Sequence, residues 1–115
     1  MNYMLLIYVD PEKAPAEGSD EAAAYSQRWA DYTESLAKAG VLREGAALQA
    51  PSTATVVSQP NGQRVVTDGP FADTKEWLGG YYVIDVDDLD TALEHASTMP
   101  NQAAGHTEVR PVREM

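Results

Sequence analysis

Residues 65–86 read VVTDGPFADTKEWLGGYYVIDV, and the fold follows from how this stretch divides. A β-branched run, Val65, Val66 and Thr67, stops at Asp68-Gly69-Pro70-Phe71. Gly69 tolerates unusual φ, Pro70 fixes φ and has no N–H, and a residue before proline is pushed out of the helical region. Asp68 is therefore expected at a strand end, on a constrained turn. A charged segment follows, Ala72 to Glu76, then Trp77-Leu78, a Gly79-Gly80 break, and the most apolar run of the chain from Tyr81 to Val86. A charged loop held between two strands is where a site would be built.

Outward from this stretch, the rest divides cleanly. Residues 2–9 form a short apolar run that predicts a strand, and its near-continuous apolarity predicts a central one. Ser19 or Asp20 can cap a helix on whose face Ala22, Tyr25, Trp29, Tyr32 and Leu36 recur at intervals of three and four. Gly40 closes that helix, and Val41 and Leu42 lead into a strand through Leu48. Asn61-Gly62 sits between two β-branched runs, residues 55–58 and 64–67, which predicts a hairpin. Asp87 or Asp88 caps a second helix with Leu89, Ala92, Leu93, Ala96 and Met99 on one face, ended by Pro100. Residues 107–112 form the last strand, and Pro111 places it at an edge.

The order is β-α-β-hairpin-β-α-β in a single domain of 115 residues. Two β-α-β units with right-handed crossovers give an α+β, ferredoxin-like β-α-β-β-α-β sandwich with an extra hairpin, its two helices on one face of a four-stranded antiparallel sheet. The central strands are apolar on both faces, so the uncovered face calls for a cover. The expected cover is a second copy, giving a homodimer with sheets facing each other and a cavity between or beside them.

Composition narrows the partners. Eighteen acidic against eight basic residues give a formal charge of −10, a field that repels nucleic-acid phosphates and anionic membranes. Neither nucleic acid nor membrane is an expected partner. The N-terminus carries neither a signal peptide nor a span, so the expected location is cytoplasmic. With no cysteine, thiol nucleophiles, disulfides and thiolate metal sites are excluded. Neither His95 nor His106 stands in a metal-binding spacing, and no glycine-rich nucleotide loop or nucleophile elbow occurs, so no metal and no cofactor is expected.

The candidate chemistry lies on the 68–76 loop. Asp68 is either a general acid or base tuned by a cavity, or a turn aspartate accepting backbone N–H groups. Lys75 is either an anion or oxyanion binder, and Glu76 a proton carrier, or the two serve in an ion pair that pins the loop or in a contact across the dimer. Tyr25 and Trp29, with Tyr32, are either helix-to-sheet core or the wall of a pocket for a flat ring. Tyr81 and Tyr82 point to opposite faces. Tyr25, Trp29, Tyr81 and Phe71 are the candidate ligand contacts.

The segments Tyr3 to Tyr8, Leu36 to Leu42, Gly45 to Leu48, Glu108 to Val112 and, most specifically, VTDGPFADTKE (66–76) with Leu78-Gly79-Gly80 resemble the YCII-related family in its DGPF-domain branch, across residues 1–112. The resemblance implies a dimeric α+β barrel. It implies kinship with small cofactor-free isomerases, dehalogenating enzymes and oxygenases, although the branch has no general reaction. Members often occur beside extracytoplasmic-function sigma factors, which points to signalling or regulation. Better-studied relatives pair a helix-borne histidine with an aspartate near the end of the second helix. Counted back from Gly40, Trp29 stands at the first place here and Met99 at the second. Two functions follow. One is a cofactor-free enzyme moving a proton, or eliminating, on a small cyclic or aromatic substrate. The other is a non-catalytic, ligand-sensing or regulatory module.

Overall fold

Strand β1 (Asn2–Val9) alternates fully buried with half-buried side chains. Tyr3, Leu5 and Ile7 are buried, while Met4, Leu6 and Tyr8 stay partly open. That alternation is the signature of a strand covered on one side only. The computed structural model describes residues 1–114.

Helix α1 (Asp20–Lys38) starts where Ser19 accepts the Ala22 N–H at 3.0 Å, with Asp20 and Glu21 in the first turn, where the dipole favours acids. It buries Tyr32 and Leu36, and ends at Gly40, whose φ of 75° suits glycine. Strand β2 (Leu42–Ala47) follows. Strands β3 (Thr55–Ser58) and β4 (Val65–Asp68) form the expected hairpin, as a separate two-stranded sheet turned through Asn61 and Gly62, both at positive φ. Strand β5 (Trp77–Asp85), helix α2 (Leu89–Ser97) and strand β6 (Gly105–Pro111) complete the chain.

The main sheet is antiparallel in the order β2-β5-β1-β6. Each helical connection steps over one strand, which is the ferredoxin-like α+β arrangement the sequence predicts. Strands β1 and β5 are central, and Pro111 lies on the edge strand β6, where no ladder partner is lost.

Three sequence expectations shift. Gly79-Gly80 is no break: β5 begins at Trp77 and runs through both glycines, with a register slip opposite Ile7 and Tyr8. A Cβ on Gly80 would lie 2.6 Å from the Ala46 carbonyl oxygen, so glycine permits close strand approach here rather than interrupting the strand. The α2 stripe is only partly buried. Ala92, Ala96 and Met99 face the core, whereas Leu89 and Leu93 remain exposed, because this short helix sits on the sheet through its small residues. Finally, β6 starts at Gly105, two residues before the expected strand.

The core lies between sheet and helices: Tyr3, Leu5, Ile7, Ile84 and Val86 from the sheet side, Tyr32 and Leu36 from α1, and Ala92, Ala96 and Met99 from α2 and its end. Each large apolar side chain so buried contributes about 1.5–3 kcal/mol. The two helices are tied directly, since the Tyr32 hydroxyl donates to the His95 carbonyl at 2.6 Å. Burial, with Tyr82 nearby, pushes the Tyr32 phenol well above its ordinary 10.0. The opposite face of the sheet carries Met4, Leu6, Tyr8, Tyr81 and Val83 at its centre, flanked by Glu44, His106, Glu108 and Arg110 by register. Among the described residues no helix lies on it. The molecule is a slab of 47 × 43 × 18 Å, two layers thick. Among the described residues no helix is long and apolar enough to cross a membrane.

Tyr32→Phe removes the helix-to-helix bond and is expected to lower stability by about 1 kcal/mol, read from urea unfolding. A raised folded-state pKa means the Tyr32 contribution is intact below pH 10 and is lost as pH rises toward the folded value. The variant should accordingly lose less stability than the wild type above pH 10.

Candidate functional site

The sheet presents small residues where the first half of α1 crosses it. Gly45, Ala46 and Ala47 on β2 and Gly79 and Gly80 on β5 leave the space beneath the helix unfilled. The result is a cleft of about 590 Å³ between α1 and the sheet, within the size range of small-molecule sites. Ile7, Val9 and Leu42 supply apolar lining, and Ser26, Ala30 and Thr33 line the helix side.

Its walls are aromatic. Trp29 and Tyr82 lie nearly parallel, with ring centroids 6.4 Å apart at 24°. Tyr25 meets Trp29 edge to face at 6.2 Å, and Tyr32 braces both Trp29 and Tyr82 from the core side. Packing of this kind holds each ring in one orientation. The Thr33 hydroxyl donates to the Trp29 carbonyl at 2.9 Å, so the 2.5 Å contact between Thr33 and Tyr82 has the Tyr82 hydroxyl as donor. That leaves the Tyr82 oxygen with lone pairs to offer. The Tyr25 hydroxyl is shielded from solvent and has no hydrogen-bond partner among the described residues. The Arg28 guanidinium lies 5.4 Å from the centre of the Tyr25 ring, a cation–π contact that helps to hold the ring in place. No carboxylate, imidazole, ammonium or guanidinium is among the lining side chains. The site is neutral, flat-walled and sparingly polar.

Of the residues that sequence reading proposes, Tyr25 and Trp29 line this cleft. Tyr81 does not. It pairs opposite Leu6 on the open face, donates to Glu44 Oε1 at 2.7 Å, and has its pKa raised first by that bond. Tyr82 takes the inward place, opposite Leu5. Phe71 is 91% exposed and away from the cleft lining. This cleft lies on the helix-covered side of a single chain, away from the face on which a cavity between two stacked sheets is expected.

The charged loop does not converge. Asp68 is exposed at the end of β4, paired with Thr55 at the root of the hairpin, and the turn after it is closed by the Gly69 N–H to the Ala54 carbonyl at 2.7 Å. Lys75 reaches Asp10, with Nζ 3.8 Å from Oδ2. Glu76 turns to the last strand, both carboxylate oxygens lying 2.9 Å from His106 Nδ1. Lys75 and Glu76 thus reach the adjoining ends of β1 and β6 while Asp68 stands apart at the hairpin root, and none of the three lines the cleft.

Two polar residues escape the sequence reading. Asp10 is 3% exposed, its Oδ1 accepting the Glu12 N–H at 2.9 Å and its own N–H donating to Ala104. Asn101 is fully buried, donates to the Tyr8 and His106 carbonyls and accepts from Thr107. Together they fasten the ends of β1 and β6. An aspartate closing a strand ahead of proline is the available signal for Asp10; Asn101 has none. Among the described residues, no group of three or more His, Asp or Glu side chains is placed to hold a metal ion.

Comparison with known proteins gives a consistent result. The family model described as the YCII-related domain matches residues 1–115. An uncharacterized protein of Rhizobium meliloti is similar to this chain, with 34% identity over 114 residues that cover 97% of this chain and 92% of the relative.

Gly45 sets the shape of the cleft. A Cβ there would lie 2.7 Å from Tyr82 Cδ1, so Gly45→Ala must displace the Tyr82 ring. The expected result is a loss of about 1–3 kcal/mol, as for other overpacked positions, with a change in Trp29 fluorescence as its stacking partner moves. An unchanged emission spectrum and melting temperature would show that the ring is not held as described.

Proposed function

The chain belongs to the YCII-related family, and we propose that it is a small-molecule-binding protein whose ligand is a small planar ring held between α1 and the sheet. The observation that carries this reading is the cleft itself: about 590 Å³, walled by Tyr25, Trp29 and Tyr82 and free of charged side chains. Parallel aromatic faces select flat molecules, and a neutral lining selects uncharged ones. A buried hydroxyl left without a partner costs about 1–3 kcal/mol. The Tyr25 hydroxyl is in that position, and a ligand carbonyl or hydroxyl would satisfy it. Phenols, lactones and related cyclic carbonyl compounds meet all three conditions.

Ligand binding or sensing fits this lining better than proton transfer. A general acid or base must come within about 3 Å of the proton it moves, and Asp68, Lys75 and Glu76 lie outside the cleft. The Lys75–Asp10 and Glu76–His106 pairs support the loop-pinning alternative for those two residues.

The protein acts as a homodimer joined through the open sheet face. What supports this is the apolar centre of that face, Met4, Leu6, Tyr81 and Val83, which no helix covers among the described residues. Sheets stacked about 10 Å apart would bury it. The ligand then sits on the outer side of each sheet, so that two equivalent sites face away from the interface.

Thermal-shift and calorimetric titration with phenols, lactones and small aromatic acids tests the reading. A neutral ring at 100 times its Kd should stabilise the protein by about 2.7 kcal/mol. Tyr25→Phe should weaken binding about tenfold while leaving the empty protein as stable or more so. Asp68→Asn should leave affinity unchanged. Binding that ignores Tyr25, or turnover of a bound ring that Asp68→Asn abolishes, would overturn the proposal and restore the enzyme.

A further inference from the structure

The β3–β4 hairpin is not part of the slab. Its strands pack mainly on each other, and among the described residues neither makes an extensive contact with another strand or helix. The radius of gyration is 16.1 Å, where a compact chain of this length has about 13 Å. A lone two-stranded hairpin is marginal in water, and this one adds a second liability. Val57 and Val66 face each other across the ladder on one side and are 61% and 51% exposed. Val65, on the other side, is also exposed, as is Phe71 just beyond β4. Natural hairpins do not leave such side chains wet without a partner.

Charge says which partner. None of the 18 acidic residues falls between Gly45 and Thr67, and the only charge in those 23 positions is Arg64. With Arg64 making this segment +1, the rest of the chain carries −11 of the net −10. Two such acidic bodies repel over most of their surface. The arm is the one long segment that can approach another copy without bringing acid to acid, and its single charge is of the complementary sign. A two-fold dimer also gives an arm that overreaches its own body a body to rest on.

We infer that the β3–β4 arm is a clasp that lies against a second copy of this chain, its Val57–Val66 pair buried in the contact. The inference rests on the dimer reading above and adds to it a contact outside the stacked sheets. Asp68 and Thr55 share the Val57–Val66 side by register, at the root of the arm. The clasp therefore carries Asp68 to the edge of the interface, a role for that residue independent of the cleft.

The test combines sedimentation equilibrium with hydrogen exchange on the full chain. Val57→Asp with Val66→Asp should raise the dimer dissociation constant about thirtyfold or more, as loss of a central apolar contact does. Val57→Thr with Val66→Thr keeps the β-propensity of the arm and should shift it in the same direction by less. In the wild-type dimer the ladder amides of β3 and β4 should be protected, and in a Leu6→Glu monomer they should exchange freely. If both arm variants dimerise as the wild type does, if only the aspartate pair has an effect, or if the arm amides of the wild-type dimer exchange freely, the clasp is wrong and the sheet-face dimer stands. If the wild type stays monomeric at about a thousand times the micromolar affinity of a weak dimer, both fall.

Discussion

Two helices cannot cover both faces of a four-stranded sheet, and almost every other feature of this protein answers to that constraint. The covered face takes the large aliphatic side chains Leu5, Ile7, Ile84 and Leu36. It closes tightly under α2, where the helix offers Ala92 and Ala96. It stays open under the first half of α1, where the sheet offers Gly45, Ala46, Gly79 and Gly80 beneath Tyr25 and Trp29. One face therefore holds both the core and a cleft, and the difference between them is the size of the strand residues. The other face keeps an apolar centre that no helix covers among the described residues.

Placing the cleft on the helix side changes what the charged loop does. The loop from Gly69 to Glu76 returns the chain from the hairpin to β5, and its charges act as ties on that return. Lys75 holds it to buried Asp10 at the end of β1, and Glu76 holds it to His106 on β6. The Lys75 and His106 ends of these pairs stand in solvent, which holds each contribution to about 1 kcal/mol or less. Asp10 contributes through its burial and its bonds to Glu12 and Ala104, which fix the end of the central strand next to Val9 on the cleft floor. Electrostatics in this molecule arranges the strand ends and keeps charge out of the site.

Most of the architecture was legible because its signals are periodic. The alternation in residues 2–9, the three-and-four spacing of Trp29, Tyr32 and Leu36, and Asn61-Gly62 between valines each lead to the observed element. The misreadings share a cause: a residue's local preference was overruled by what lies across from it. Gly79-Gly80 reads as a break until β2 is placed within van der Waals reach of Gly80. Leu89 and Leu93 read as core until a nine-residue helix is seen to rest on alanines. The site was half legible. Tyr25 and Trp29 could be nominated because aromatic residues one turn apart must share a face. Choosing Tyr82 over Tyr81 needs the register with β1, including the slip at Ile7 and Tyr8, which no single-chain pattern encodes. Asp68 stands near Lys75 and Glu76 in sequence, but it closes the hairpin root while the other two reach the adjoining ends of β1 and β6.

The central claim is that recognition happens between α1 and the sheet. Backbone and indole amide resonances, followed by two-dimensional NMR during titration with a neutral cyclic carbonyl compound, test it residue by residue. The chain has two tryptophans, and only Trp29 lines the cleft, so the two indole signals act as an internal control. The largest shifts are expected at the Trp29 indole and at Gly45, Gly79, Gly80 and Tyr82, with Met4, Leu6 and Tyr81 little changed. Shifts centred on Met4, Leu6 and Tyr81, with the Trp29 indole undisturbed, would put the ligand on the opposite face and contradict it.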